Sequence, residues 1–87
     1  MRYKKEKISI EYFEEGSVFY SDRSKKFYAL DEAGTEIWKY IDSMEEFEIS
    51  QLVIILSSKY GVDESIITKD LNAFLDKLIK IGALSII

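Results

Sequence analysis

The 87-residue chain contains no cysteine, no histidine and no proline, and only four glycines: Gly16, Gly34, Gly61 and Gly82. Without cysteine there are no disulfides, no thiolate metal sites and no thiol nucleophile. Without histidine the commonest general base and the commonest metal ligand are both missing. The glycines lie too far apart to form a phosphate-cradling loop. The longest apolar run, Leu52 to Leu56, is far too short to span a bilayer. The opening residues MRYKKEKISI carry charge with no apolar stretch behind them, so no signal peptide is expected. These features predict a cytoplasmic protein that engages no membrane. The net charge of −4 favours solubility and has the wrong sign for a chain that coats DNA. Paired carboxylates are the catalytic chemistry that composition leaves open, and a chain this small has little room for a deep cleft. Neither an enzyme nor a cofactor nor a metal site is therefore expected.

What is present is core material. Hydrophobic residues make up 47% of the chain and aromatics 14%, which argues against disorder. The length fits one domain spanning residues 1–87. A domain of this size buries only ~60–65% of the surface its unfolded chain exposes, so a bound partner would add useful stability.

Periodicity places the elements. Lys7 to Phe13 (KISIEYF) puts Ile8, Ile10 and Tyr12 on one face, the period of a strand. Glu14-Glu15-Gly16 reads as a turn, Ser17 to Ser21 as a second strand, and Asp22-Arg23-Ser24 as a turn of hairpin length. Lys25 to Leu30 is a third strand, with Lys26, Tyr28 and Leu30 on one side. The period then lengthens to 3.6. In Asp31 to Ser43, residues Ala33, Ile37, Tyr40 and Ile41, then Met44, form a stripe with Trp38 beside it. Asp31 is placed to cap this helix, and Gly34 in its first turn would let another backbone come close. A second helix runs from Ile49 to Tyr60 and closes at Gly61. Asp63 caps a third, Glu64 to Ile81, whose stripe is Ile67, Leu71, Phe74, Leu78 and Ile81. Ala83 to Ile87 reads as an extended, packed tail. The result is an α+β, winged-helix-like arrangement: a three-stranded antiparallel sheet followed by a three-helix bundle.

Three segments invite a functional reading. The outward face of the third helix carries Lys69, Asp70, Asn72, Ala73, Asp76, Lys77 and Lys80. It follows the second helix in helix-turn-helix order, but it mixes acids with lysines and lacks arginine, the commonest reader of guanine. A solvated face is the plainer reading. The strand Lys25 to Leu30 reads in two ways. Its lysines protect an edge from aggregation, or its free backbone groups accept a guest peptide as an added strand. An exposed edge of this kind also permits a monomer to pair into a dimer. Glu45-Glu46-Phe47-Glu48 reads as a loop rather than a metal site. Trp38 reads as a core residue with one edge exposed.

The ordered set FYALDEAGTEIWKYI, then KYGVD, then DLNAFLDKLIKIGAL resembles the PqqD-like family, over about Lys7 to Leu84. These are precursor-peptide recognition domains of ribosomally made, modified peptides. The chain departs from the family pattern in two places. Asp31-Glu32 stands where Asn-Pro is frequent, and Met44 to Glu48 fills a loop that is often Gly-Thr, with Glu48 at the cap position. The resemblance implies a protein that binds the leader segment of a precursor peptide and presents it to a modifying enzyme. Small discrete members serve lasso-peptide leader proteases or radical-SAM enzymes. It further implies that the leader adds as a strand along Lys25, Lys26, Phe27, Tyr28, Ala29 and Leu30. Asp70, Ala73, Phe74 and Lys77 would line the helix side. No nucleic-acid partner is implied, although a winged-helix DNA-binding regulator is the alternative that the helix order leaves open.

Overall fold

The computed structural model describes residues 1–87. Its elements run β1 (Arg2–Lys5), β2 (Ile8–Phe13), β3 (Gly16–Ser21), β4 (Lys26–Asp31), α1 (Glu32–Met44), β5 (Glu46–Glu48), α2 (Ile49–Tyr60), α3 (Glu64–Lys80) and β6 (Leu84–Ile86). The expected meander is present: β2, β3 and β4 form an antiparallel sheet in that order, followed by three helices. A second antiparallel sheet, in the order β5-β1-β6, is added to it. No helix is long and apolar enough to cross a membrane.

The second sheet draws on segments with too little pattern to read as strands. Arg2–Lys5 (RYKK) has one apolar residue and Glu46–Glu48 (EFE) has one. Period 2 cannot be recognised over so few positions. The structure therefore corrects the loop reading of Glu45 to Glu48. Glu45 is a left-handed turn residue (φ 64°), and Glu46 to Glu48 is a strand paired to β1. Tyr3 and Phe47 sit opposite one another with rings stacked at 5.4 Å, and both are buried. Leu84 pairs across from Lys5 and is fully buried, so the tail is extended and packed as expected.

The helix boundaries follow their caps. The Gly34 N–H donates to Asp31 Oδ1 (2.8 Å) at the start of α1, and the Ser65 N–H donates to Asp63 Oδ1 (2.8 Å) at the start of α3. Glu48 stands at the start of α2, where its own N–H donates to Gln51 Oε1 (2.7 Å). That reciprocal half of a capping box serves in place of a Ser/Thr cap. Gly61 ends α2 in the left-handed conformation (φ 65°), which costs a glycine little.

The core joins both sheets to the helices. Its fully enclosed members include Phe19, Trp38, Ile41, Phe47, Leu52, Leu75, Leu78 and Leu84. Two expectations about α1 are corrected here. The buried stripe is Gly34, Thr35, Trp38 and Ile41, whereas Ala33 is exposed and Ile37 half-buried. The stripe is rotated because Thr35, a polar residue, is buried. Its Oγ1 lies 2.8 Å from Ser17 Oγ on β3, so its hydroxyl is satisfied inside the core. Trp38 has no exposed edge: it is 0% exposed, stacked against Phe19 at 6.2 Å, with its indole N–H unpartnered. In α3, Leu75 joins Leu71 and Leu78 in the buried row, a position the stripe through Phe74 passed over.

Candidate functional site

Strand β4 pairs with β3 on one edge only, so its other edge is free of any strand partner. The strand begins at Lys26, not Lys25. Lys25 has a left-handed backbone (φ 62°) and closes the β3–β4 turn, its N–H donating to the Ser21 carbonyl at 2.8 Å. The sheet register then sorts the strand's side chains. Tyr28 and Leu30 face inward, Tyr28 against Phe19 at 5.6 Å and Leu30 buried in the core. Phe27 turns to the opposite, solvent face, where it meets Tyr20 at 5.0 Å and remains 74% exposed.

Beside β4 lies an open recess of about 420 Å³, lined by Ala29, Leu30, Asp31, Ala33, Gly34, Ile37, Phe74 and Lys77. Its walls come from three elements: the end of β4, the first turns of α1 and the middle of α3. Gly34 sets how closely they approach. A Cβ at this position would lie 3.3 Å from Phe74 Cε1 and 3.2 Å from Asp31 Oδ1. The neighbour admitted by Gly34 is therefore an aromatic ring and a capping carboxylate, where another backbone was expected. Phe74 is half-buried and fills the angle between α1 and α3. The far end of the groove is fixed by Ser24, whose Oγ donates to the Ile81 carbonyl at the end of α3 (3.1 Å). Both ends of β4 are thus tied to helices, one through Asp31 and Gly34 and the other through Ser24.

Four of the ten sequence-derived site residues meet in the recess: Ala29, Leu30, Phe74 and Lys77. Lys26 lies at the start of the free edge, and Lys25 in the turn before it. Asp70 and Ala73 are exposed on α3 outside the recess lining, while Tyr28 is turned into the core and Phe27 onto the outer sheet face. The contribution of α1 was missed. Ala33 and Ile37, at i and i+4 on either side of Gly34, form a short apolar face separate from the buried stripe.

Titratable groups with clear perturbations fasten the frame around the groove. The Glu36 carboxyl is held below the usual carboxylate range, first by its hydrogen bond from Lys59 and then by that from Tyr60 (2.8 Å). The same bond raises Lys59, whose ammonium also lies over the Tyr40 ring at 5.5 Å. This cluster ties α1 to α2. Lys5 is raised by its hydrogen bond to Asp42 (2.7 Å), which ties β1 to α1. No group of three or more acidic residues is arranged to hold a metal ion. The chemistry of the groove is that of a binding surface: a free strand edge, an apolar recess and exposed lysines.

No curated protein matches the chain significantly. Among solved structures, TbiB1 in complex with the TbiA(beta) leader peptide has the same fold. Its TM-score is 0.82 at 20% sequence identity, over 94% of each chain. Residues 16–84 match the family model described as Coenzyme PQQ synthesis protein D (PqqD). That stretch runs from β3 to the start of β6 and takes in every wall of the groove, and on it the chain belongs to the PqqD family.

Proposed function

We propose that this chain is a non-catalytic binding protein that captures the leader segment of a ribosomal precursor peptide by strand addition. It then presents the bound precursor to a modifying enzyme, of the leader-protease type found with lasso peptides or of the radical-SAM type. The observation that carries the reading is the unpaired edge of β4 running beside a recess floored by Ile37 and Phe74. Main-chain hydrogen bonds along the edge would supply affinity irrespective of side chain, and the recess would select an apolar anchor. Because the edge is tied at both ends, little ordering of the protein accompanies binding, which favours a flexible guest. Family membership and the likeness to TbiB1, which is bound to the TbiA(beta) leader peptide, support the same reading. A DNA reader has no support from either comparison.

In this proposal Lys26 to Leu30 is the docking edge, Phe74 and Lys77 line the groove wall, and Lys25, Asp70 and Ala73 flank it. The test is an amide NMR titration of labelled protein with the leader of a precursor encoded beside it. Shifts should concentrate on Lys26 to Leu30, on Ala33 to Ile37 and on Asp70 to Lys77. A proline placed in the middle of the pairing segment should abolish them, because it removes a ladder donor. A spectrum unmoved by leader but shifted along α3 by duplex DNA would overturn the reading.

A further inference from the structure

The groove is electrostatically lopsided. Of the twelve lysines and arginines, only Arg2, Lys5 and Lys59 lie within 4 Å of a carboxylate. Lys25, Lys26, Lys77 and Lys80 are among those left free, although the chain as a whole has a net charge of −4. All four are exposed, on the turn and first residue of β4 and on the last turns of α3, two segments that the bond from Ser24 to Ile81 joins. Lys25 and Lys26 stand where β4 leaves its turn, and Lys77 lines the recess. Lys80 lines the adjoining depression, on the other side of the bond between Ser24 and Ile81. The nearby Arg23 is excluded from this set, because its guanidinium donates to Ser85 Oγ (3.1 Å) over β6. No carboxylate of the region comes within 4 Å of these four lysines. Asp22 shares a depression with Glu6 and Lys7, and Asp76 faces Tyr3. Asp31 lines the recess with Lys77 but is engaged as the cap of α1, and Asp70 lies two turns before Lys77 on α3.

Complementing the negative end of the α3 dipole accounts for Lys77 and Lys80 in the last turn of that helix. It does not account for Lys25 and Lys26, which belong to a different element. Exposed like charges on adjoining elements, none of them in an ion pair, repel one another, and a ligand of opposite sign relieves that repulsion.

We infer that the lysine end of the groove selects guests by charge: the peptide that docks on β4 carries acidic residues immediately beside the apolar segment that enters the recess. This inference rests on the peptide-docking reading of β4 and adds to it the chemistry of the guest. The apolar part sits against Ile37 and Phe74, and the adjacent Asp or Glu residues sit over Lys25, Lys26, Lys77 and Lys80. A guest with the reverse charge order, basic residues at the lysine end, is rejected by repulsion.

The test uses random twelve-residue peptides displayed on phage and panned against the intact protein at low salt. Enriched peptides are then synthesised, and their affinities are measured by fluorescence anisotropy. The expected result is an apolar core flanked on one side by Asp or Glu. Replacing two of those acids by Asn or Gln should weaken binding by about fivefold to tenfold, since each exposed pair contributes modestly. Raising the salt should erase most of that difference. Panning against a Lys25→Glu, Lys26→Glu double variant should lose the acidic bias, and its melting temperature should be unchanged because both side chains are exposed. If enriched peptides shift the β4 and α3 amides yet are uncharged, or tolerate the amide replacements without loss, the lysines only guard the edge. Charge selection then falls while the docking reading stands. If nothing is enriched, or the enriched peptides shift residues away from the groove, the docking reading falls and charge selection with it.

Discussion

In the β5-β1-β6 sheet each strand turns one large side chain inward, and Phe47, Tyr3 and Leu84 are 0%, 3% and 0% exposed. In the β2-β3-β4 sheet each strand has six residues against three or four, yet Phe27 is 74% exposed and Phe13 58%. The short sheet is closed by contacts from distant parts of the chain. The Lys5 N–H donates to the Glu45 carbonyl, the Glu6 N–H to that of Ala83 and the Ile87 N–H to that of Arg2. The long sheet ends in an edge that no strand covers. Strand length is therefore no guide to structural importance here. Three-residue strands hold the frame because each buries an aromatic or aliphatic anchor, while the six-residue strand β4 is left available to something else.

The largest effect should come from deleting an anchor of the short sheet. Phe47→Ala removes a fully buried ring stacked on Tyr3 and should cost about 3–5 kcal/mol, much of the stability typical of a small domain. Urea unfolding followed by circular dichroism would show a strongly lowered midpoint or no folded baseline at all. A near-normal midpoint would mean that the short sheet is dispensable.

Gly34→Ala should separate stability from binding. Alanine gains about 1 kcal/mol of helix propensity, and its methyl must push the Phe74 ring aside. The two effects oppose each other in stability but not in the groove, where a misplaced Phe74 narrows the recess. Thermal stability should change by less than about 1 kcal/mol, while affinity for a groove-binding peptide falls about fivefold, the equivalent of a ~1 kcal/mol misfit. Equal losses of stability and affinity would show that the wall and the frame are not separable.

Phe27→Ala should be nearly silent in unfolding, within about 0.5 kcal/mol, since the ring is already exposed. Set beside Phe47→Ala, it is the same chemical change in the other sheet. A large loss would place Phe27 in the folding core, contrary to its exposure.

The smallest effects are those of pH. Asp63 is depressed by its hydrogen bonds from Ser65, side chain first and backbone second, and Glu36 by those from Lys59 and Tyr60. A depressed carboxyl stabilises fully above its unfolded pKa of about 4, and the contribution is lost as pH falls through the lower folded value. Lys5 is raised, so the strut from β1 to Asp42 stabilises fully below its unfolded pKa of about 10.4 and is lost as pH rises through the higher folded value. Melts from pH 2.5 to 5 should show a gentle acid decline that Asp63→Asn reduces. Melts from pH 9.5 to 12 should show an alkaline decline that Lys5→Met reduces, the remainder coming from Lys59 and the raised tyrosines Tyr3, Tyr12 and Tyr60.

The sequence was most legible where one period ran long between clear stops. The second helix was placed at Ile49–Tyr60, as found, because Leu52, Val53 and Leu56 keep helical spacing up to Gly61. The meander was placed to within a residue or so of each strand, and its β4 edge and Phe74 were both singled out as parts of a groove. Legibility failed where a single apolar residue defines a strand, as with Tyr3 and Phe47, because pairing partners 44 residues apart leave no local trace. It failed again at Thr35, whose burial depends on a hydroxyl partner on another strand. That error rotated the α1 stripe and hid Ala33 and Ile37 from the site. The role of Gly34 was half legible: something comes close to it, but only the fold makes that something Phe74.

Trp38 gives the molecule a built-in optical gauge. It is the sole tryptophan, sealed from water, stacked on Phe19 and without a hydrogen-bond partner for its indole. Its emission should be blue-shifted and almost immune to soluble quenchers. It also adjoins Ile37, one residue away from the wall of the groove, without touching the space inside it. A peptide that docks on the surface should leave that colour unchanged, whereas any ligand that pries α1 from the β2-β3-β4 sheet will turn it red.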